Sequence, residues 1–458
     1  MVVQTGIEQF AGSLRGQLIQ HGDAEYEEAR RVHNAMIDRR PRFIARCADV
    51  ADVMAAVNFA REEGLLLSIR GGGHSVPGFG TNDGGLVIDL VRMKGIRVDP
   101  EKRTVTAQAG CTWGDVNHAT EPFGLHTPGG VVSTTGVAGL ALGGGIGHLT
   151  RPFGLVVDNI VSADVVLADG SCAVASEKEN VDLYWALRGG GGNFGVVTSF
   201  ELRLHELKAV YAGPIVWPLD NAGDVLRFYA EFINNAPEQL NGIFAFLVVP
   251  PGEPFPEHLH NRNMCAAVLC WTGPLEKGEE AVRALQEFGP PAFHHVGPMP
   301  FPVLQSIFDP IAPPGQFNYW KADFVSDLTA PIIEGHVKFG PGTPNIFSGV
   351  HIFSTSGAAQ RPGKNDTAWS YRDARFSHVI HAEYWEAEEG DSHQQWVRDY
   401  YDTLHPHSAG GAYVNFLMDE GQDRVVASYR DNYKRLAEIK GRYDPGNLFR
   451  MNQNIKPA

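Results

Sequence analysis

After Asp49 the stretch DVADVMAAVNFAREEG repeats apolar residues at helical spacing: Val50, Val53, Met54 and Val57 fall on one stripe, and Gly64 stands where a C-cap needs a left-handed residue. A helix is predicted there. LLLSIRG, LVIDL and TVTAQAG follow as short β-rich runs parted by Gly- and Asp-containing turns, and SADVVLADG and GVVTSFELRL bracket a short helical stretch, NVDLYWALRGG. The first half therefore reads as α+β with mixed sheets. Further on, FNYWKADF and GVHIFS alternate as strands do. Near the end, SYRDNYKRLAEIKGRYDPGNLF predicts one helix with Tyr429, Tyr433 and Leu436 on one side, and the polar run RMNQNIKPA behind it would normally fray.

Glycine is dense up to about Glu206 and thins from about Lys208 to Phe416, where Pro, Trp and Phe increase, so a second domain is expected in the middle. No repeat period or low-complexity tract interrupts this reading. A chain of 458 residues with 43% hydrophobic content can bury a large core. Its 38 Lys and Arg against 53 Asp and Glu, with no basic block, argue against nucleic acid or anionic membrane as partners. The start, MVVQTGIEQFAGSLRGQLIQHG, lacks the layout of a signal peptide, and no apolar run approaches the roughly 18 residues that span a bilayer. Five scattered cysteines without a CxxC pair signal neither a disulfide framework nor a thiolate metal site. A soluble cytoplasmic protein, monomer or homodimer, is expected. The histidine pairs His258/His260, His294/His295 and His405/His407 sit in Pro-rich loops with no third ligand at zinc-like spacing, so no metal is expected.

Three glycine clusters carry the chemistry. Arg70-Gly71-Gly72-Gly73-His74-Ser75 follows a strand, where consecutive glycines let N–H groups converge on an anion and a phosphate approach the backbone. Alone, such a turn is a tight loop. The second cluster, Gly129 and Gly130, then Gly136, Gly139, Gly143, Gly144, Gly145 and Gly147, holds too many glycines for turns and suggests a large flat ligand. The third, GGGGNFG at Gly189 to Gly195, contains GxGxxG, but a helix precedes it and a strand follows, the reverse of a Rossmann nicotinamide site.

RGGGHS, GLALGGGIGHLTRPFGLVVDNI, DLYWALRGGGGNFGVVTSFEL and YDPGNLFRMNQNI together resemble, in order and spacing, the bacterial berberine-bridge-enzyme-like oxidases of the vanillyl-alcohol-oxidase fold. The resemblance runs almost continuously from about Arg40 to Glu206 and from about Tyr413 to the end. It implies an α+β, two-domain PCMH-type FAD fold: residues 1–206 an FAD-binding domain, 207–415 an inserted substrate domain whose antiparallel sheet roofs the flavin, and 416–458 a segment completing the FAD domain. It also implies that FAD is joined to His74 through the flavin 8α-methyl carbon, which needs a neutral imidazole. Val132 stands where many relatives carry a second, cysteinyl link, so one link is expected. Arg70 to Ser75, Gly136, Gly139, Gly143, Gly144, Gly147, Asn159, Val197, Asn452 and Asn454 are the implied cofactor contacts. Thr135 falls where the family tunes oxygen access, although a loop threonine can equally satisfy backbone.

The implied reaction is hydride transfer from a small alcohol, amine or secondary metabolite to FAD, with O2 then reduced to hydrogen peroxide. The alternatives are a dehydrogenase with another electron acceptor and a flavin-binding protein without catalysis. The protein must also accept a proton from the substrate. Where relatives carry a tyrosine base this chain has Phe416, in Tyr413-Val414-Asn415-Phe416. Tyr413 is the nearest phenol, and Tyr319, Lys321 and His351 on the central strands are the other candidates.

Overall fold

The computed structural model describes residues 2–458, with side chains from residue 6 on. The helix read after Asp49 spans Val50–Glu62; the Asp49 carboxylate caps it by accepting from the N–H groups of Ala51 and Asp52, and Gly64 follows at φ +63°. Its apolar stripe places Val53 and Val57 in the core and packs Val50 and Met54 against it.

Two sheets fill the first half. In the smaller, Leu86–Asp89 pairs in parallel with Phe43–Arg46 and Leu67–Arg70, while Gln17–Gln20 adds an antiparallel edge. The other is antiparallel, in the order Ile96–Asp99, Thr104–Gln108, Val196–Arg203, Ile160–Val166, Cys172–Ser176. Residues 210 to 384 supply an eight-stranded antiparallel sheet whose path runs Phe293–His294, Val210–Trp217, Asn263–Trp271, Leu240–Val248, Gly349–Ser354, Phe376–Tyr384, Phe317–Val325, with Gly297–Met299 also paired to Val210–Trp217. The α+β architecture agrees with the reading of the sequence.

The outer face of the large sheet meets the helices Ala222–Asn235, Ala330–Phe339 and Gly390–Leu404 in a separate core that includes Phe244, Phe246, Ile352, Ile380 and Tyr400. Its inner face turns toward the first half, where the main core runs from Phe10 to Ile455 and joins both chain ends. No helix among the described residues is long and apolar enough to cross a membrane.

The C-terminal helix is two helices, not one. Gln422–Tyr429 and Asn432–Tyr443 are separated at Arg430, whose φ of +47° no α-helix contains, so Tyr429 closes one helix while Tyr433 and Leu436 belong to the next. The polar tail is held by tertiary bonds: Gln453 Nε2 donates to the carbonyls of Leu417 and Met418, and the Ile455 N–H donates to Asn193 Oδ1.

Candidate active site

Between the inner face of the large sheet and the glycine clusters lies a cavity of about 340 Å³. Its roof follows from the period of two along a strand: Asn318 and Trp320, His351 and Phe353, and Val379, His381 and Glu383 point inward from three adjacent strands. The residues between them, such as Ile352, Ile380 and Ala382, point to the outer core. Tyr319 belongs to this second set. It packs in the outer core with the Arg398 guanidinium 5.5 Å from its ring centre, so it does not reach the cavity and is withdrawn as a proton acceptor.

The floor brings most of the expected residues together. Arg70 to Ser75, Thr135, Gly136, Gly139, Val197 and Asn452 all line the cavity. Gly72 and Gly136 cross so closely that a Cβ on Gly72 would lie 2.4 Å from the Gly136 nitrogen, and Gly73 sits at φ +73°. A Cβ on Gly139 or Gly192, by contrast, would meet no protein atom within 4 Å. Arg70 is fixed from behind, its Nη2 donating to Asp89 at 2.8 Å. Asn452 donates to the Gly192 and Phe449 carbonyls, while its Oδ1 is buried without a partner.

Five expected contacts stand behind the wall instead. Gly143, Gly144 and Gly147 lack a Cβ to make room for protein: it would strike Asn415, the Trp369 ring and the Gly129 carbonyl, respectively. Asn159 spends its amide on the Phe153 and Leu155 carbonyls and its oxygen on His205. The Asn454 carbonyl accepts from Gln422, and its side-chain Oδ1 is buried without a partner.

His74 faces the cavity with Nε2 3.0 Å from Thr134 Oγ1 and its ring stacked on His33, centroids 4.1 Å apart. Burial, aided by the neighbouring His33, lowers its pKa to about 3, so the imidazole is neutral at pH 7. His351 stacks on His381 at 4.9 Å and is likewise depressed by burial to about 3. The Tyr413 oxygen accepts from the Gly145 N–H at 2.8 Å and from Asn415 Nδ2 at 2.6 Å. Burial outweighs those bonds and holds the phenol above its usual range, so it stays protonated. Phe416 packs against Tyr413, Trp320 and Phe353.

Sequence reasoning missed His33, Trp320, His381, Glu383 and Gln453, all on the cavity wall. One signal was available in HAEY: His381 and Glu383 alternate with Ile380 and Ala382, which puts two polar groups side by side on one face of the strand.

Comparison with known proteins places these features. Residues 41–176 match the family of FAD binding domains and residues 412–456 the family described as berberine and berberine like. An FAD-linked oxidoreductase of Dictyostelium discoideum is 30% identical over 456 residues, covering 98% of this chain and 97% of the relative. The xylooligosaccharide oxidase of Thermothelomyces thermophilus is 31% identical over 454 residues, covering 93% and 89%. The crystal structure of 6-hydroxy-D-nicotine oxidase from Arthrobacter nicotinovorans superposes with a TM-score of 0.87 at 28% identity, covering 97% of this chain and 99% of that one.

Proposed function

We propose, because the chain belongs to the berberine-bridge-like family of FAD-linked oxidoreductases, that it carries FAD on a single covalent link to His74 and works as an oxidase of a small organic molecule. The observation that carries this reading is one cavity with a glycine floor, a neutral imidazole at that floor and an antiparallel roof. The residues fit the cofactor: Gly139 and Gly192 leave open space above the backbone, and Asn452 Oδ1 awaits a donor. Val132 lines the cavity without a nucleophile, which supports one link rather than two.

When bound, FAD accepts a hydride from the substrate and, once reduced, delivers the electrons to O2. The chain's own part is to bind, orient and exclude water. Arg70 to Ser75 and the Gly191-Gly192-Asn193 turn hold the cofactor, and Thr135 beside Val132 is the residue set to tune the approach of oxygen. The aromatic rings of Phe308, Trp320, Phe353 and Phe416 keep the substrate side dry. We assign residues 1–206 and 416–458 to cofactor binding and 207–415 to the substrate side, in keeping with the separate outer core. Four buried and one exposed free cysteine favour a reducing cytoplasm.

The test is anaerobic bleaching of the yellow protein by a panel of aromatic alcohols, cyclic amines and oligosaccharides, followed by mixing the reduced protein with oxygen. Bleaching by at least one compound and reoxidation within the mixing experiment are expected. Reduced flavin that persists in air would make the protein a dehydrogenase, and no bleaching across the panel would remove the catalytic reading.

A further inference from the structure

Between two strands of the roof the chain crosses the cavity without pairing. Gly297–Met299 pairs with Val210–Trp217 near one edge of the large sheet, and Phe317–Val325 forms the opposite edge, so the residues between them pass across the sheet. They pass on the inner side, where Phe308, Ile311 and Ala312 line the cavity. Both ends of this strap are anchored. Phe301, Leu304 and Phe308 are buried in the main core, and Gln305 Nε2 donates to the Gly130 carbonyl. At the far end the Gly315 N–H donates to the His33 carbonyl at 2.9 Å, and the Ala35 N–H donates to the Gln316 carbonyl at 2.8 Å.

The middle of the strap, Asp309–Pro314, is held differently. None of its residues is buried. Pro310, Pro313 and Pro314 have no N–H to donate, and the N–H groups of Ile311 and Ala312 are spent inside the strap on the Phe308 and Asp309 carbonyls. Among the described residues, its hydrogen bonds to the rest of the protein all go to the Asp309 carboxylate: the Ser133 N–H donates to Oδ1 at 2.8 Å and the Ser133 hydroxyl donates to Oδ2. On the cavity side this seam is flanked by Val132 and Thr135 of the floor and by Phe308 and Ile311 of the strap, while Thr134 and Pro310 are exposed on its outside. One carboxylate therefore closes a thin wall between solvent and cavity.

We propose that Asp309–Pro314 is a flap through which the substrate enters and the product leaves, with Asp309 as the positioning residue that latches it to Ser133. This rests on the cavity being the flavin site. A segment with few buried contacts and few bonds beyond itself opens at a small fraction of the cost of unfolding the domain. Gly315, at φ +93°, supplies a hinge at the far end, and the prolines stiffen the piece that swings. Closed, the flap sets Ile311 and Ala312 against the substrate and keeps water out. The roof strands offer no comparable opening, because helices cover their outer face.

The experiment uses the purified yellow protein with Ser133→Cys and Asp309→Cys combined, in a Cys172→Ser background that removes the exposed native thiol. A short bis-methanethiosulfonate joins the two new cysteines, and dithiothreitol parts them again. With the compound that bleaches the wild type, the joined protein should be bleached roughly tenfold or more slowly than the same protein after reduction and desalting, with full yellow colour in both forms. Equal bleaching of the two forms overturns the proposal. Hydrogen exchange tests the flap without a substrate. In the wild type the amides of Ser133, Ile311 and Ala312 should exchange faster than those of the roof strands Gly349–Ser354 and Phe376–Tyr384. Asp309→Ala should speed Ile311 and Ala312 by about a further tenfold while the strands keep their rates. Flap amides as protected as the strands, or unmoved by Asp309→Ala, overturn it as well. A compound panel that bleaches nothing removes the flavin reading instead and leaves hydrogen exchange to decide on the flap.

Discussion

At the scale of single residues, the chemistry divides by how far a side chain's role depends on its neighbours. His74 follows a glycine turn that alone is a tight loop, and its candidacy was legible only because RGGGHS stands in order with the other three motifs of the resemblance. His74→Ala should release the colour from acid-precipitated protein into the supernatant, while wild-type precipitate stays yellow; wild-type flavin that washes out would end the covalent assignment. Which tyrosine faces the cavity was not legible, because a period of two gives alternation without saying which face is inside. Tyr319→Phe should therefore leave flavin reduction near wild type. Tyr413→Phe should instead strand the buried Gly145 N–H, costing about 1–3 kcal/mol, and leave the Asn415 amide with the Leu140 carbonyl alone, lowering the melting temperature. Its pH profile should keep the wild-type shape, and a flattened limb would restore Tyr413 as the proton acceptor.

At the scale of elements, the regular pieces followed from periodicity and the irregular ones did not. The helix Val50–Glu62 and the strands around it came from apolar spacing and glycine punctuation. The break at Arg430 left no mark in composition, and the tail RMNQNIKPA is ordered by bonds to residues far away in sequence. The same holds for Lys440. Its buried ammonium donates to the Asn193 and Phe449 carbonyls at 2.6 and 2.9 Å and to Asp444 at 2.6 Å, tying the last helix to the third glycine turn. Lys440→Met should leave Asp444 charged and unpaired, costing about 3–5 kcal/mol. Flavin content per protein should fall with it, since Asn193 lines the cavity. Adding Asp444→Asn should recover part of the stability, and a double variant no better than the single one would refute the pairing argument.

At the scale of the whole molecule, the sequence shows 18 histidines but not which of them the fold takes out of water. His148 and His378 are buried away from the cavity and depressed by that burial to about 3 and about 4, and His336, beside His378, is also pushed well down. All three are neutral in the folded state, whereas in the unfolded chain they take up protons near pH 6.5. The unfolded state therefore binds more protons in acid, and stability present above about pH 6.5 is lost as pH falls toward the folded values. Each group withdraws about 1.4 kcal/mol per pH unit, so the three together remove roughly 4 kcal/mol per unit. Glu383 works in the opposite sense, since its folded value of about 8 means stability is regained as pH falls from 8 toward the ordinary carboxyl range. One carboxyl offsets about one histidine, which leaves a net loss. Against a total of about 5–15 kcal/mol, the thermal midpoint should drop steeply between pH 6.5 and 5. His378→Asn should soften that drop, and a midpoint that is the same at pH 7 and pH 5 would show that these histidines are not held neutral by the fold.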